Sequence, residues 1–391
     1  MDQRDRTEFG TAAFGGAAVT GTAVGPVLEP FEGVRRVAVL RGGGLGDLMF
    51  AMPAVDALAA AYPGAEITLL GTPMHAALLD GFPGPVDRVE VLPFAHGVRP
   101  GPEDPPAQAA FFERMRSRGF DLAVQLHGGG RFSNPFLLGL DARHSIGTRT
   151  PDAQPLERSI PYVYYQNEVL RALEVVGLAG ARPVSLQHRL EVTPAEAARI
   201  SPLLQPGSES LVVVHPGASD QRRRWPAPSF AEVAAKAAQD GSQVLVIGDA
   251  GEAELAGTVV RLAAGMADGG RIRSVAGQLD LRELAALLRA ADVVVANDSG
   301  PRHLAQAVGT PTVGIYWVGN MIMAGAPGRT LHRIHLGWVT HCPVCGVDVT
   351  QVGWNARRCD HEFPLTAQVS PADVYADVQE LTATSLLLRG R

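Results

Sequence analysis

The chain alternates short runs of β-branched and aliphatic residues with amphipathic stretches of helical length, and it does so in two series. The first series extends from residues 37–41 to residues 120–129, and the second extends from 211–217 to 310–317. Strand-length apolar runs that alternate with helical patterns are typical of a parallel sheet covered by helices on both faces. The polar, proline-containing segment 182–208 separates the two series. We therefore predict an α/β fold of two Rossmann-like domains that face each other across a cleft.

The same pattern predicts the domain boundaries and the main elements. We expect a disordered tail over 1–33, a first domain over 34–185 and a second domain over 186–391. Residues 148–160 are polar and predicted to be irregular, whereas 162–177 are predicted to form a helix. The predicted strands are 37–41, 65–71, 86–93 and 120–129 in the first series, and 211–217, 243–249, 272–277, 292–298 and 310–317 in the second.

Composition narrows the class of protein. The chain has 391 residues, is 46% hydrophobic and carries 34 basic and 40 acidic residues, which excludes a disordered chain and disfavours nucleic acid as the main partner. No stretch approaches the ~20 apolar residues that cross a bilayer, and the start of the chain is a poor secretory signal. We expect a soluble, cytoplasmic protein with at most peripheral membrane association. Lys236 is the one lysine, so a positive charge in a binding site should be a guanidinium.

Ligands of open α/β sheets bind beyond the carboxyl ends of the strands, so the loops that follow strands are the candidate sites. The first such loop lies in residues 41–53, where Gly44 and Gly46 stand between a strand and a helix. Glycines let the backbone approach a ligand closely, and a helix N-terminus favours an anion. Asp47 falls in the first turn of that helix. It either caps the helix or presents a reactive carboxylate at the cleft.

Two further loops of this kind lie in the second series. Residues 215–226 end a strand in His-Pro-Gly and continue into three arginines, of which one or two could reach a diphosphate. Residues 296–311 end a strand in Asn-Asp and open a helix with Ser-Gly-Pro. The N–H groups at that helix start could also cradle a diphosphate.

Together the three loops resemble those of the family 9 glycosyltransferases, whose best-known members are the ADP-heptose:lipopolysaccharide heptosyltransferases. The resemblance covers about residues 36–390 and rests on four motifs in order. These are an LGD-x5-P start, an HPGA segment followed by basic residues and Trp-Pro, an IGD segment followed by an acidic residue, and an NDSGPxHLAxAxGTP block. The resemblance implies the two-domain GT-B fold, with the acceptor bound by the N-terminal domain and the donor by the C-terminal domain.

The resemblance also implies a role for each matching residue. Asp47 would be the general base that takes the proton from the acceptor hydroxyl. Arg223, at a position where the family usually has lysine, would contact the donor phosphates, and Glu252 lies near the family's acidic residue for the donor ribose. The residues that would hold the diphosphate are Asp298, Ser299, Gly300 and His303. The acceptor-side loops would contribute Gly44, Gly46, His127 and Arg131.

The implied function is inverting transfer of a sugar, with heptose from ADP-heptose favoured, to a bacterial surface glycan, a lipopolysaccharide core, a lipid-linked glycan or a protein. No cofactor is expected for the chemistry, because a guanidinium and helix N–H groups can stabilise the charge that builds on the leaving diphosphate. Two alternatives remain open from the sequence. One is a sugar-nucleotide epimerase or hydrolase of the same fold, and the other is a non-catalytic nucleotide-sugar-binding protein.

The three cysteines of the chain all lie in residues 341–361, together with a nearby histidine. Cys342 and Cys345 have CxxC spacing, and Cys359 and His361 have Cys-x-His spacing. This pattern favours a structural zinc or iron site, and packed, reduced cysteines are the alternative. Cysteine-bearing C-terminal segments also occur in relatives of the family. In the branch that glycosylates autotransporter proteins they are similar to a metal-holding finger.

The amphipathic segment that follows Pro371 predicts a last helix. In GT-B enzymes such a helix often crosses back to the N-terminal domain. Packing of its leucine-rich end in a core is the simpler interpretation.

Overall fold

The computed structural model of the protein describes residues 24–267, 269–350 and 359–388. The chain divides into two compact units, Met1–His188 and Arg189–Arg391. Each unit contains a six-stranded sheet, and the strand pairs in both sheets are parallel.

The two sheets have the same topology. The strands of the first unit are β1 (Arg36–Leu40), β2 (Glu66–Gly71), β3 (Arg88–Val91), β4 (Leu122–Gln125), β5 (His144–Arg149) and β6 (Arg158–Pro161). Those of the second are β7 (Leu211–His215), β8 (Gln243–Val246), β9 (Ile272–Ser274), β10 (Val293–Asn297), β11 (Thr312–Trp317) and β12 (His332–Gly337). Their orders are β3-β2-β1-β4-β5-β6 and β12-β11-β10-β7-β8-β9. Each order reverses at a central pair, β1 beside β4 and β7 beside β10, which is where Rossmann folds bind ligands.

Several helices begin where the sequence supplies an N-cap or an early proline. Asn167, Asp104 and Asp280, for example, accept backbone N–H groups of the helices they precede. The helices are α1 (Leu45–Ala61), α2 (Pro73–Leu79), α3 (Pro105–Ser117), α4 (Ser133–Leu138), α5 (Glu168–Gly177), α6 (Pro194–Ile200), α7 (Ala227–Gln239), α8 (Ala253–Ala264), α9 (Leu281–Ala290), α10 (Gly300–Ala307), α11 (Val318–Ala324) and α12 (Pro371–Leu388).

The sequence missed three strands that lie towards the outer edges of the sheets. Residues 148–160 are not irregular throughout, because β5 ends and β6 begins within them, and β12 was not predicted at all. These strands read HSIGTR, RSIP and HRIHLG, without the continuous apolar run of a central strand. β6 and β12 are edge strands that are partly exposed and tolerate polar residues. β5 is buried between β4 and β6, and pairing with these neighbours decides its conformation.

The start of the chain departs from the predicted tail over 1–33. Residues 1–23 lie outside the described residues, but 24–33 pack against the first unit. The Leu28 N–H donates to the Gly177 carbonyl over 2.9 Å, and the Phe31 N–H donates to the Tyr62 hydroxyl over 3.1 Å. The Phe31 side chain is buried. The prediction was wrong for 24–33 because these contacts involve residues far away in the sequence.

The last helix belongs to the core of the second unit. α12 contacts α7, β10 and β11, and its buried face carries Val374, Val378 and Leu381. The expectation that its leucine-rich end packs in a core was wrong, since Leu387 and Leu388 are exposed. Among the helices in the described parts of the chain, none combines the length and hydropathy that a membrane crossing requires.

Candidate active site

The loop after β1 holds Asp47 in a defined position at the start of α1. Asp47 Oδ2 accepts the Gly44 N–H over 2.9 Å, which satisfies one of the free N–H groups at the helix N-terminus. Gly43 has a φ of +89°, and a Cβ there would lie 2.4 Å from Asp47 Oδ2. Only glycine fits this position without strain. The Asp47 side chain caps the helix and is still 47% exposed, so the two interpretations from the sequence are compatible.

Arg41, which directly follows β1, holds Asp47 in place through hydrogen bonds. Arg41 is buried, and its Nη2 lies 2.7 Å from Asp47 Oδ1. Its Nε donates to the Asp47 carbonyl over 3.0 Å, and its Nη1 donates to the Leu126 carbonyl. Glu168 lies 3.6 Å from the same guanidinium. A planar group with several donors therefore holds the carboxylate in one orientation.

His127 connects the neighbouring loops instead of presenting a charge. Its Nδ1 accepts the Gly42 N–H over 3.1 Å, and its ring also bonds to the Gly97 backbone. Burial and the nearby Arg41 guanidinium lower the pKa of His127 to about 4. The ring is therefore neutral at neutral pH, and its hydrogen bonds connect the loops after β1, β3 and β4.

The other acceptor-side candidates differ in exposure. Arg131 is 64% exposed, lies 3.5 Å from Asp152 and stacks over the Phe132 ring at 5.2 Å. Gly46 lies within α1 and is partly buried. Of the four acceptor-side residues that the sequence singled out, Arg131 is the one whose charge is directed to solvent.

In the second unit, Arg223 stands where the loop after β7 meets the loop after β10. It ends a short 3-10 turn and is 22% exposed. Its Nη2 donates to Ser219 Oγ over 2.8 Å and its Nη1 donates to Asp298 Oδ2 over 3.4 Å. The guanidinium is thus oriented by two neighbours and remains accessible on one side.

Asp298 is enclosed by donors. His303 Nε2 lies 3.1 Å from its Oδ1, and Asn320 Nδ2 donates to its Oδ2 over 2.8 Å. Burial acts to raise its pKa, but His303, Arg302 and Arg223 together hold the pKa of Asp298 at about 2. The His303 ring is itself buried, and burial with the adjacent Arg302 lowers its pKa. Asp298 and His303 therefore form a supporting layer behind Arg223.

The N-terminus of α10 is open. Ser299 occupies the N-cap position, yet its side chain makes no capping hydrogen bond within the described structure. Its hydroxyl instead lies 2.9 Å from His215 Nδ1, at the end of β7. Gly300 follows without a side chain, so the first turn of the helix can admit an anion to its N–H groups.

Glu252, in the loop after β8, contacts the same histidine as Ser299. Its Oε2 lies 3.1 Å from His215 Nε2 and accepts the Asp249 N–H over 3.1 Å. The hydrogen bond with His215 lowers the pKa of Glu252, which keeps the carboxylate ionised. Glu252 occupies space that Gly217 leaves free, because a Cβ on that glycine would lie 1.8 Å from Oε1.

The predicted clustering of the cysteines with His361 is confirmed. The four candidate ligand atoms all lie within 4.8 Å of one another. Cys345 Sγ is 3.4 Å from Cys359 Sγ, and His361 Nδ1 is 3.4 Å from Cys359 Sγ and 3.8 Å from Cys342 Sγ. The backbone N–H groups of Val344 and Cys345 donate to Cys342 Sγ over 3.4 and 3.5 Å. These donors favour a thiolate.

Sequence reasoning assigned no role to Arg41, His215 and Asn320. The signal for the first two was their place as the last residues of the apolar runs 37–41 and 211–215, directly before the glycine-containing loops. Asn320 lies in α11 and reaches Asp298 only through the tertiary fold. No local signal indicated it.

Comparison with known proteins agrees with this geometry. Residues 108–336 match the model of "Glycosyltransferase family 9 (heptosyltransferase)". Lipopolysaccharide heptosyltransferase 2 of Salmonella typhimurium is 26% identical over 294 aligned residues, and the match covers 72% of this chain and 82% of the relative. The structure of Escherichia coli ADP-heptose lps heptosyltransferase II superposes with a TM-score of 0.67 at 19% identity, over 89% of this chain and 99% of that one.

A second solved structure shares the fold and is described as iron-containing. The iron-containing dodecameric glycosyltransferase TibC of enterotoxigenic Escherichia coli superposes with a TM-score of 0.53 at 14% identity. The superposition covers 91% of this chain and 78% of TibC. The solved heptosyltransferases confirm the predicted α/β class with the GT-B type of fold. The family model spans more than half of the chain, and the chain belongs to glycosyltransferase family 9, as a heptosyltransferase-like glycosyltransferase.

Proposed function

We propose that the protein transfers heptose, with inversion, from ADP-heptose to a bacterial surface glycan, a lipopolysaccharide core or a protein. The observation that carries this proposal is the Asp47 carboxylate, which Arg41 and Gly44 hold in one orientation while it remains half exposed. A general base must be both positioned and accessible to the acceptor hydroxyl. The donor named for the Escherichia coli structure, ADP-heptose, supports the choice of sugar nucleotide.

In this mechanism the first unit binds the acceptor. Asp47 takes the proton of the acceptor hydroxyl as that oxygen attacks the anomeric carbon. Arg41 keeps the carboxylate directed at the reacting hydroxyl. The exposed Arg131 contributes a cation for acidic or phosphorylated acceptors.

The second unit binds the donor. Arg223 and the open N-terminus of α10 stabilise the diphosphate as its charge grows in the transition state. Asp298 acts indirectly. Its ionised carboxylate would repel the diphosphate if the two were in contact, but it accepts a hydrogen bond from Arg223 and so orients that guanidinium. The ionised Glu252 is an acceptor for the hydroxyls of the donor ribose. This set of groups needs no divalent cation for the chemistry.

A screen of sugar nucleotides tests the proposal. The purified protein is heated with ADP-, GDP-, UDP- and dTDP-sugars, and a donor that binds the folded state raises the melting temperature. We expect ADP-heptose to give the largest increase and to be consumed only when an acceptor is present. Release of free heptose without acceptor would favour a hydrolase instead. No increase with any of the donors would contradict the proposal.

We also propose that Cys342, Cys345, Cys359 and His361 hold a structural zinc ion. Tetrahedral ligands at about 2.3 Å from zinc lie about 3.8 Å from one another, which fits the separations of 3.4–3.8 Å between the paired ligand atoms. Three thiolates and one imidazole are a common zinc set. Iron, which TibC contains, is the alternative metal. Three unpaired cysteines also suit the reducing cytoplasm, where we place the enzyme.

Metal analysis of the purified protein tests this site. We expect about one zinc per chain, and a lower melting temperature after treatment with a chelator, because a structural metal stabilises only the folded state. The variant Cys345→Ser should lose the metal and should no longer respond to the chelator. A wild-type protein with neither zinc nor iron would contradict the proposal.

A further inference from the structure

Three side chains, one at the end of β7 and two in the loops after β8 and β10, form a continuous hydrogen-bonded network in the second unit. Glu252 Oε2 lies 3.1 Å from His215 Nε2, and His215 Nδ1 lies 2.9 Å from Ser299 Oγ. The imidazole is buried and uses both nitrogens. The hydrogen-bonded network ends at Ser299, the N-cap of α10, where we place the diphosphate.

The acid–base chemistry of Glu252, His215 and Ser299 determines which atoms of this network carry a hydrogen. Glu252 is ionised, so both of its oxygens can only accept. His215 Nε2 must then carry a hydrogen. In a neutral imidazole Nδ1 carries none, so the Ser299 hydroxyl donates its hydrogen to Nδ1. In that state Ser299 has no hydrogen left for a phosphate oxygen.

Protonation of the imidazole reverses the second bond. His215 Nδ1 then carries a hydrogen and donates it to Ser299 Oγ, which frees the hydroxyl hydrogen. Ser299 does not use its side chain to cap α10 within the described structure. The freed hydrogen can therefore turn to an anion at the helix N-terminus.

We propose that His215 takes up a proton from solvent when a nucleoside diphosphate binds, and that Ser299 thereby turns its hydroxyl hydrogen from the imidazole to the diphosphate. This inference rests on the proposed donor site. Protonation of His215 and binding of the diphosphate favour each other, and by linkage the coupling acts in both directions. His215 is a positioning residue, since it acts on the leaving diphosphate through Ser299.

The charges around His215 determine the direction of the coupling. Glu252 and an incoming diphosphate favour the imidazolium. Arg223 and Arg224 oppose it, since Arg223 lies at the mouth of the site and Arg224 acts on Glu252. Asp298 is ionised, but both of its oxygens already accept from other donors, which are His303, Asn320 and Arg223. The diphosphate is the one charge in this set that arrives with the ligand, and it therefore triggers the protonation.

Calorimetry of ADP binding at pH 8, in buffers of different ionisation enthalpy, measures the uptake. At this pH the free diphosphate is fully ionised, and we expect up to about one proton to be taken up per ADP bound. His215→Gln should abolish the uptake, because an amide does not protonate. Ser299→Ala should weaken ADP binding about tenfold and reduce the uptake.

His335→Gln is the matched control, because His335 also pairs with a carboxylate of this unit, Asp377, at 2.9 Å. It should leave the uptake unchanged. If ADP binds and no proton is taken up, or if His215→Gln takes up as many protons as the wild type, the inference is wrong and the proposed donor site stands. If neither ADP nor GDP, UDP or dTDP binds, both are wrong. Should His215→Gln fail to fold, Ser299→Ala decides, because wild-type affinity and uptake in that variant would overturn the inference.

Discussion

At the scale of single residues, the two carboxylates that follow central strands have different environments. Asp47 is half exposed and pairs with the Arg41 guanidinium. Asp298 is buried and accepts bonds from His303, Asn320 and Arg223. The first arrangement suits a group that exchanges a proton with a substrate, and the second suits a group that fixes its neighbours.

The role of Asp47 predicts the behaviour of Asp47→Asn. The amide keeps the size of the side chain but cannot accept the proton, so we expect kcat to fall by about 10²- to 10⁴-fold. Binding of ADP should not change. Asp104→Asn is the matched control, because Asp104 also caps a helix of the first unit and asparagine caps equally well. Transfer rates with Asp47→Asn equal to those of the control would exclude Asp47 as the base.

The role of Arg223 predicts a loss of donor binding. Arg223→Ala removes a charge-assisted contact with the diphosphate, and we expect ADP to bind at least about tenfold more weakly. The neighbouring Arg222 bonds to Asp220 through its own side chain, so Arg222→Ala should change ADP affinity little. Calorimetric titration of both variants makes the comparison. Equal effects of the two substitutions would assign the binding to general positive charge instead of to Arg223.

At the scale of elements, the loop after β1 depends on a glycine in the left-handed region. Gly43 has a φ of +89°, and a Cβ would meet Asp47 Oδ2. Gly64, in the turn after α1, has a φ of +79° and nothing within 4 Å of a Cβ. Both positions would strain the backbone of a residue with a side chain, and they differ only in what that side chain would contact.

Alanine substitutions at these two glycines distinguish the effect of backbone strain from the effect on the position of the Asp47 carboxylate. Gly64→Ala should cost about 1–2 kcal/mol of unfolding free energy, from the left-handed conformation alone, and should leave activity intact. Gly43→Ala should cost more and should also lower kcat, because the methyl group displaces the Asp47 carboxylate. Urea unfolding and initial rates measure both effects. If Gly43→Ala keeps the activity of Gly64→Ala, the orientation of Asp47 is not what the loop provides.

At the scale of the whole molecule, each unit contains a buried, neutral histidine. Burial, with help from nearby arginines, lowers the pKa of both His127 and His332 to about 4. Between pH 6.5 and 4 the unfolded chain therefore binds protons that the folded chain does not. Stability is complete above pH 6.5 and is lost as the pH falls towards 4, by up to roughly 3 kcal/mol for each histidine.

This pH dependence can be measured by urea unfolding at several pH values. We expect the free energy of unfolding to decrease steadily from pH 6.5 to 4 in the wild type. His332→Gln, which can keep the hydrogen bond that Thr312 makes with the ring at 3.0 Å, should reduce that slope. An unchanged slope in this variant would show that His332 does not contribute.

Much of the fold and part of the site were readable from the sequence. Apolar runs of strand length identify the central strands because these strands are buried on both faces, so their sequences carry a strong local signal. A glycine-rich loop after one of them and an Asn-Asp-Ser-Gly-Pro loop after another indicated where Asp47 and Ser299 stand. Strands β5, β6 and β12 were missed because their sequences are polar and their pairing depends on a neighbouring strand.

The sequence by itself determined the α/β class, the family and the loops to which we assign the chemistry, because each of these depends on residues close together in the chain. Only the tertiary structure decided which side chains meet. His215 is 84 residues from Ser299 and 37 from Glu252, and Asn320 is 22 from Asp298. Hydrogen bonds are directional and act over about 3 Å, so such partnerships exist only after the sheets have brought the loops together.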